Sequence, residues 1–241
     1  MSSQTQQAPR GILVVTGTGT GIGKTVVTAA IAALARASGA AVAVVKPAQT
    51  GVFPGPGSDV PDTRTIERLS GVTDTHELAR FPDPLSPEAA ARVCGLPPLN
   101  LADAAEYIAK LADSRDLVLV EGAGGLLVRY DAAGGTLADL AAMCGAPVLV
   151  VTAAGLGTLN HTTLTWEALA ARRLDRAGVV IGSWPREPGL AERQNLPDLE
   201  TLVGGPLAGL LPEGSGALSP ERFLAVARAG LSPGLGGAKT D

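Results

Sequence analysis

The residues best suited to chemistry begin with Lys24 and Thr25, which end the glycine-rich stretch TGTGTGIGKT at residues 16–25. Glycines allow a backbone to approach phosphate groups closely, and a following helix supplies partial positive charge. A lysine can then contact the outer phosphates, and a hydroxyl can contact Mg²⁺. The usual phosphate loop has its first glycine six positions before the lysine, where this chain has Thr18. The stretch therefore predicts a nucleoside-triphosphate loop with one additional residue, and a glycine-rich turn is the alternative.

Lys46 and Glu121 are two further charged residues that directly follow apolar runs. A lysine at the end of a buried strand is costly unless it faces an anion, and a second cation opposite Lys24 would stabilise charge during phosphoryl transfer. A carboxylate in such a position suits Mg²⁺, which prefers oxygen ligands that it shares with substrate phosphates. Ligands of open α/β sheets bind beyond the carboxyl ends of the strands, so we expect these three residues to meet in one crevice.

The elements that must position these residues alternate between short apolar runs and segments with helical periodicity. Repeated strand–helix–strand units predict an α/β fold with a doubly wound, mainly parallel sheet. We expect one domain over residues 11–230, a disordered polar tail at residues 1–10, and a disordered Gly- and Pro-rich tail at residues 231–241. The predicted strands are Ile12–Val15, Val42–Val45, Leu117–Val120, Val148–Val151, Val179–Ile181 and Leu207–Leu211.

Composition narrows the function. Hydrophobic residues make up 46% of the 241 residues and charged residues 17%, which is enough apolar material for a substantial core. The formal net charge of −4 disfavours a nucleic-acid partner, because no basic surplus exists to neutralise phosphates. No apolar run approaches the length of a membrane span, so we expect a cytoplasmic protein without a membrane partner, with Cys94 and Cys144 as reduced thiols.

Three segments keep alternative interpretations. Asp62 opens a predicted helix over Thr63–Leu69, where it would be either an N-cap or a metal ligand. Residues 155–161 (GLGTLNH) precede an amphipathic helix, and their amides would either only cap that helix or grip a carboxylate. A dinucleotide-binding loop fits residues 16–25 less well, because the chain has Ile22 where the third glycine would be and Lys46 where NAD binding requires an acid.

Four motifs together resemble those of the dethiobiotin synthetase family. They are TGTGTGIGKT at residues 16–25, KPAQTG at 46–51, VEGAGG at 120–125 and LGTLNH at 156–161, and they follow the family's order. The family's own phosphate loop, T-G-T-x-T-x-x-G-K-T, carries the same additional residue. The resemblance covers residues 11–228 and implies a P-loop nucleoside triphosphate hydrolase-like fold, usually in a homodimer with sites near the interface.

The resemblance also implies a reaction. From 7,8-diaminononanoate, CO₂ or bicarbonate, and ATP, the enzyme would make dethiobiotin, ADP and phosphate. A carbamate formed on one substrate amine would be phosphorylated by ATP, and the other amine would then close the ureido ring. This chemistry requires alignment and charge stabilisation, which two lysines and Mg²⁺ can supply without a covalent nucleophile.

Each residue that matches the family motifs takes an implied role. Lys46 and Lys24 would be catalytic, and the Mg²⁺ ligands would be Thr25, Asp62 and Glu121. The substrate would contact Thr50 and, across the dimer interface, Gly157, Thr158, Leu159 and Asn160. The nucleotide would contact Gly21, Ile22, Gly23, Lys24, Thr25, Val26, Asp62, Glu121, Gly122, Ala123, Gly124, Ser183, Trp184, Leu211, Pro212 and Glu213.

The residues that would read the nucleotide base depart from the family pattern. Many relatives carry an Asn-Asp pair near the end of the fifth predicted strand, where this chain has Ser183-Trp184. A serine lacks the paired donor and acceptor of a carboxamide, so we expect weaker discrimination between bases. Leu211, Pro212 and Glu213 would form the other wall of the base pocket.

Two other classes of protein fit less well. A ParA/MinD-like switch ATPase is the main alternative, but its signature loop, K-G-G-x-G-K-T, has a lysine where this chain has Gly19. A glutamine-dependent amidotransferase of cobyrinate type would need an added glutaminase domain with a nucleophilic cysteine, and neither Cys94 nor Cys144 lies in such a context. The sequence therefore favours the ligase.

Overall fold

A computed structural model of the protein describes residues 9–53, 55 and 58–238, and its centre is a parallel β-sheet. Its strands are β1 (Gly11–Gly17), β2 (Val42–Lys46), β3 (Gln49–Thr50), β4 (Thr75–Glu77), β5 (Arg80–Phe81), β6 (Leu117–Glu121), β7 (Val148–Thr152), β8 (Arg176–Trp184) and β9 (Gly209–Pro212). Its helices are α1 (Lys24–Ala37), α2 (Asp62–Ser70), α3 (Pro87–Cys94), α4 (Leu101–Ala112), α5 (Leu137–Met143), α6 (Thr158–Ala171), α7 (Leu190–Val203) and α8 (Pro220–Gly230), with 3₁₀ turns at Ser215–Ala217 and Pro233–Leu235.

Seven strands form the central sheet in the order β4-β2-β6-β1-β7-β8-β9, and every neighbouring pair is parallel. β3 and β5 form a separate two-stranded parallel sheet. Parallel neighbours need crossover connections, which the helices supply. The predicted α/β fold with a doubly wound, mainly parallel sheet is confirmed.

Both faces of the central sheet are buried under helices. In β1, Leu13 and Val15 belong to the core that α1, α2 and α8 share, whereas Val14 belongs to the core on the side of α3 to α7. Strands buried on both faces read as continuous apolar runs, which explains why the sequence predicts them well. The carboxyl ends of these parallel strands meet at one edge of the sheet. Within the described part of the chain, no helix has both the length and the apolarity that a bilayer crossing requires.

The prediction of a disordered tail from residue 231 is wrong for residues 231–238. Leu231 is fully buried and Leu235 nearly so, and both complete the core on the α1 side. The glycines of this region permit close packing: a Cβ at Gly237 would lie 1.9 Å from the carbonyl oxygen of Leu231. Residues 239–241, and residues 1–8 of the predicted N-terminal tail, lie outside the described residues.

Candidate active site

The phosphate-loop sequence lies between a strand and a helix, as predicted. β1 ends at Gly17 and α1 begins at Lys24, so residues 18–23 form the connecting loop. Gly21 and Gly23 have φ angles of 73° and 94°, which side chains rarely tolerate. The first turn of α1 carries no acidic residue, so the positive end of its dipole is not neutralised locally.

Gly182, near the end of β8, supports this loop from behind. A Cβ at Gly182 would lie 2.1 Å from the Ile22 carbonyl oxygen and 2.7 Å from Val151 Cγ1, and a Cβ at Gly23 would lie 2.5 Å from the Gly182 carbonyl oxygen. The two backbones approach so closely only because both positions are glycine. The sequence does not single out Gly182, since a single glycine within a strand is an ambiguous signal.

The lysine of the loop is folded back onto its own backbone. Lys24 Nζ donates a hydrogen bond to the Gly19 carbonyl oxygen at 2.7 Å, and the residue is only 7% exposed. Burial, and after it the nearby positive charge of Lys46, lowers the pKa of Lys24 to about 8 against the opposing effect of Glu121 and Asp62. An anion bound in the loop would therefore stabilise the protonated form of Lys24 and raise its pKa.

Side chains from four separate segments form a hydrogen-bonded cluster beside the loop. Thr25 Oγ1 lies 3.0 Å from Asp62 Oδ1 and 2.8 Å from Glu121 Oε1, and its single proton can go to either. Lys46 Nζ lies 2.6 Å from Asp62 Oδ2, 2.9 Å from Glu121 Oε1 and 3.1 Å from the Gly122 carbonyl oxygen. The convergence of Lys24, Lys46 and Glu121 that the strand ends predict is present.

Lys46 remains charged although its environment is dry. Burial acts to lower the pKa of Lys46, but the negative charges of Glu121 and Asp62 outweigh burial and raise this pKa above its usual value. The side chain is only 4% exposed. Lys46 is therefore a permanent, desolvated cation at the carboxyl end of β2.

Asp62 does not cap its helix, so the N-cap interpretation is wrong. Pro61 occupies the N-cap position and α2 begins at Asp62. The backbone N–H of Asp62 donates to Gln49 Oε1 at 2.9 Å, which leaves its carboxylate free to contact Thr25 and Lys46.

The oxygen atoms of this cluster match the preferences of Mg²⁺. Glu121 Oε2 is fully buried and has no hydrogen-bond partner among the described residues. An unpaired buried carboxylate oxygen is costly, and a divalent cation would remove that cost. Thr25 Oγ1 and the Asp62 carboxylate supply further oxygens at the same point. The residues predicted as metal ligands therefore fit the ion.

Tyr130, which no sequence pattern indicated, holds the glycine-rich loop at residues 122–125 that follows β6. The N–H of Ala123 donates to the Tyr130 hydroxyl at 2.8 Å, and Tyr130 is completely buried. A Cβ at Gly122 would lie 2.3 Å from Leu137 Cδ2, and Gly124 has a φ of 71°. The loop is thereby fixed against α5 with its backbone turned towards the cluster.

A cleft of about 730 Å³ lies in front of these groups. Lys24, Lys46, Asp62 and Glu121 line it, as do the exposed apolar side chains of Val60 and Leu85. Eleven of the 22 predicted site residues line it, together with residues that no sequence pattern indicated. The lining residues are Thr20, Gly21, Gly23, Lys24, Thr25, Val26, Lys46, Gln49, Thr50, Gly51, Asp59, Val60, Asp62, Pro84, Leu85, Ser86, Pro87, Glu121, Ala123, Gly124 and Val128.

The residues predicted for base recognition meet at a different place, at the ends of β8 and β9. Trp184 pairs with Pro212, and the N–H of Glu213 donates to the Trp184 carbonyl oxygen at 2.7 Å. Ser183 is exposed beside them and Leu211 is buried beneath. The structure thus brings these two predicted walls together, outside the cleft lining described above.

The predicted substrate residues 157–160 are also separate from the cleft. They form the start of α6, where Gly157 is the N-cap with a φ of 88° and no side chain caps the helix. The Thr158 hydroxyl is buried, 2.7 Å from Thr152 Oγ1, and it donates to the Ala153 carbonyl oxygen. In contrast, Leu156 just before this turn is 91% exposed.

Comparisons with known proteins match the whole domain. A family model described as an AAA domain matches residues 11–220. In the solved structures, the chain resembles the MinC:MinD cell division protein complex of Aquifex aeolicus, with a TM-score of 0.56 and 13% identity over 90% of this chain and 92% of that one. A ParA family ATPase from Chlorobium tepidum gives a TM-score of 0.54 and 13% identity over 91% and 89%. These likenesses confirm the P-loop nucleoside triphosphate hydrolase-like fold and nothing finer.

Curated relatives are much more similar. A protein of Frankia casuarinae named ATP-dependent dethiobiotin synthetase BioD is 67% identical over 93% of both chains. Proteins of the same name from Rhodococcus jostii and Streptomyces avermitilis are 60% and 58% identical, over 90% and 94% of this chain and 92% and 94% of theirs. With identity this high over nearly the full length, the chain belongs to the dethiobiotin synthetase family.

Proposed function

We propose that the protein is a ligase that closes the ureido ring of dethiobiotin from 7,8-diaminononanoate, CO₂ and ATP. The observation that carries the proposal is the cluster in which Lys46 lies within 2.9 Å of Glu121 and 2.6 Å of Asp62, beside a phosphate loop. Membership of the dethiobiotin synthetase family supports the choice of substrates.

The reaction needs an oxygen of the carbamate to become a leaving group. The carbamate oxygen attacks the γ-phosphorus of ATP and ADP departs, which gives a carbamic-phosphoric anhydride. The second amine then attacks the carbonyl carbon, the bond to the phosphate oxygen breaks, and phosphate leaves with that oxygen. No covalent bond to the protein is formed, so catalysis consists of alignment and electrostatic stabilisation.

Lys24 and Lys46 would stabilise negative charge at different places in the reaction. Lys24, at the start of α1, contacts the outer phosphates after it leaves the Gly19 carbonyl oxygen. Lys46 faces the carbamate and the transferring phosphoryl group, where charge spreads over oxygen atoms in the transition state. Its charge persists because Glu121 and Asp62 keep its pKa high.

Thr25, Asp62 and Glu121 would hold Mg²⁺. When bound, the ion would neutralise charge on the phosphate oxygens. The unpartnered Glu121 Oε2 supports this assignment. Gly21–Val26 would bind the triphosphate, and Glu121–Gly124 would line the nucleotide.

Thr50 would contact the diaminononanoate near the reacting amines, since it lines the same cleft. Residues 157–160 would bind the substrate carboxylate from the second subunit of a homodimer, because they lie outside the cleft of their own chain. The catalytic domain would extend from residue 11 to residue 238, and the protein would act in the cytoplasm.

The fold alone would equally suit a ParA/MinD-like switch ATPase, whose solved representatives share only 13% identity with this chain. The cobyrinate-type amidotransferase is disfavoured further, because burial raises the pKa of Cys144 and makes a thiolate nucleophile harder to form.

Incubation of the protein with 7,8-diaminononanoate, bicarbonate, Mg²⁺ and ATP tests the proposal. We expect dethiobiotin by mass spectrometry, with one ADP for each molecule formed. ATP hydrolysis that does not depend on the diamine and yields no ureido product would overturn the proposal in favour of a switch ATPase.

A further inference from the structure

The side chain of Gln49 is hydrogen-bonded both to its neighbour Thr50 and to the start of α2. Its side-chain oxygen accepts a hydrogen bond from the N–H of Asp62 at 2.9 Å, and its Nε2 donates to the Thr50 carbonyl oxygen at 3.1 Å. The residue is 6% exposed and lines the cleft. We propose that Gln49 is a positioning residue, which fixes Asp62 so that its carboxylate can bind the Mg²⁺ of the nucleotide.

The start of α2 needs an acceptor from outside the helix. The first N–H groups of any helix have no partner within it, and an N-cap side chain normally supplies one. Here the N-cap is Pro61, whose side chain has no acceptor. Gln49, in the separate element β3, supplies an acceptor for the first of these N–H groups, that of Asp62.

The backbone of Gln49 is itself held firmly. Its N–H donates to the Ala79 carbonyl oxygen at 2.9 Å, and it pairs with Arg80 in the small β3-β5 sheet. An amide side chain on a fixed backbone, with both ends bonded, has little freedom. Gln49 therefore fixes the start of α2, and with it Asp62, relative to β3.

The carboxylate of Asp62 depends on this placement. Asp62 Oδ1 lies 3.0 Å from Thr25 Oγ1 and Oδ2 lies 2.6 Å from Lys46 Nζ. Unlike Glu121, which follows directly from a central strand, Asp62 reaches the cluster only through the start of α2. A small movement of that helix end would withdraw one of the three proposed Mg²⁺ ligands and leave the other two in place.

The inference rests on the proposed assignment of Asp62 as a Mg²⁺ ligand, and calorimetric titration of a non-hydrolysable ATP analogue, β,γ-methylene-ATP, tests it. Gln49→Met keeps the length of the side chain and removes its strong acceptor. Gln49→Glu keeps an acceptor oxygen for the Asp62 N–H. Asn100→Ala is the matched control, because Asn100 caps α4 through Ala102 and Asp103 and does not line the cleft.

Loss of a residue that orients a metal ligand commonly weakens metal binding by about 10–100-fold. We therefore expect Gln49→Met to bind the Mg²⁺-loaded analogue at least about tenfold more weakly, with unchanged affinity for the metal-free analogue. Gln49→Glu should restore tight binding of the loaded analogue. Asn100→Ala should lower the melting temperature and change neither affinity.

Three outcomes would overturn the inference. These are unchanged affinity of Gln49→Met for the loaded analogue, equal losses for the loaded and metal-free forms, and failure of Gln49→Glu to restore binding. If Gln49→Met does not fold, Gln49→Asn, whose oxygen is withdrawn by one methylene, serves in the same titration. A parent protein that makes no dethiobiotin would refute the proposed function, while this titration would still decide the role of Gln49.

Discussion

The ammonium group of Lys46 lies 2.9 Å from Glu121 Oε1, and the two side chains are only 4% and 1% exposed. A buried pair of this kind contributes little net stability, but removal of one partner leaves an uncompensated charge and costs about 3–5 kcal/mol. The pair thus keeps a cation and an anion ready at the carboxyl ends of β2 and β6. In the proposed reaction, Lys46 would face the reacting groups and Glu121 would bind Mg²⁺.

Lys46→Ala should lose turnover and keep nucleotide binding. Loss of a group that stabilises developing charge costs about 10²–10³-fold in rate, and Lys46 does not belong to the phosphate loop. Steady-state rates of dethiobiotin formation and calorimetry with an ATP analogue measure the two effects. Lys24→Ala is the comparison, since it should weaken nucleotide binding as well. Intact turnover in Lys46→Ala would remove this lysine from the mechanism.

Nucleotide binding should take up protons near pH 8. The pKa of Lys24 is lowered to about 8, mainly by burial, so about half of these side chains are uncharged at that pH. A bound triphosphate favours the ammonium form and raises the pKa, so affinity should fall as pH rises above 8. Calorimetry in buffers of different ionisation enthalpy measures the uptake. The Lys24→Met variant should show none, and equal uptake in that variant would assign the proton to another group.

Gly182→Ala should disrupt the phosphate loop from behind. The added methyl would lie 2.1 Å from the Ile22 carbonyl oxygen, so the loop must move or the sheet must distort. Overpacking of this kind costs about 1–3 kcal/mol in folding free energy, and we expect nucleotide affinity to fall at least tenfold, by about 1.4 kcal/mol. Denaturant unfolding and nucleotide titration measure both. Gly205→Ala has open space around it and should change neither, whereas normal binding by Gly182→Ala would contradict the proposed support of the loop.

Ser183 should allow several nucleoside triphosphates to act as the phosphoryl donor. Without a carboxamide at this position, discrimination loses hydrogen bonds worth about 0.5–1.5 kcal/mol each, so ATP, CTP and GTP should support rates within about tenfold of one another. Ser183→Asn should increase the preference for ATP, and Ser183→Ala should leave the relative rates unchanged. Steady-state rates with the three nucleotides decide this, and a strict ATP preference in the parent protein would contradict it.

Much of the cleft follows from strand ends that are visible in the sequence. Lys46 and Glu121 each follow an apolar run, and Lys24 ends the glycine-rich loop after another. Parallel strands must bring such positions to one edge of the sheet. The interpretation of Asp62 required the structure, because a residue at the start of a helix can cap it or turn its side chain elsewhere. Its neighbour Pro61 takes the N-cap position instead.

Other residues that support the site have no distinctive local pattern in the sequence. Gln49 caps a helix that begins thirteen residues later, Tyr130 hydrogen-bonds to Ala123 across a turn, and Gly182 packs against a loop from the opposite end of the chain. Each acts through a contact that only the assembled fold creates. Leu231 lies in a segment predicted to be disordered, but it is buried. Gly- and Pro-rich composition does not distinguish disorder from close backbone packing.

Transfer of oxygen from the carbamate to phosphate is the most direct test of the proposed chemistry. The carbamate formed from ¹⁸O-labelled CO₂ should deliver one labelled oxygen to each phosphate released, because that oxygen attacks the γ-phosphorus and later leaves with it. Mass spectrometry of the phosphate, with dethiobiotin quantified in the same sample, should find one labelled oxygen per product molecule. Dethiobiotin accompanied by unlabelled phosphate would contradict the account, since the phosphate would then derive from attack of water on ATP.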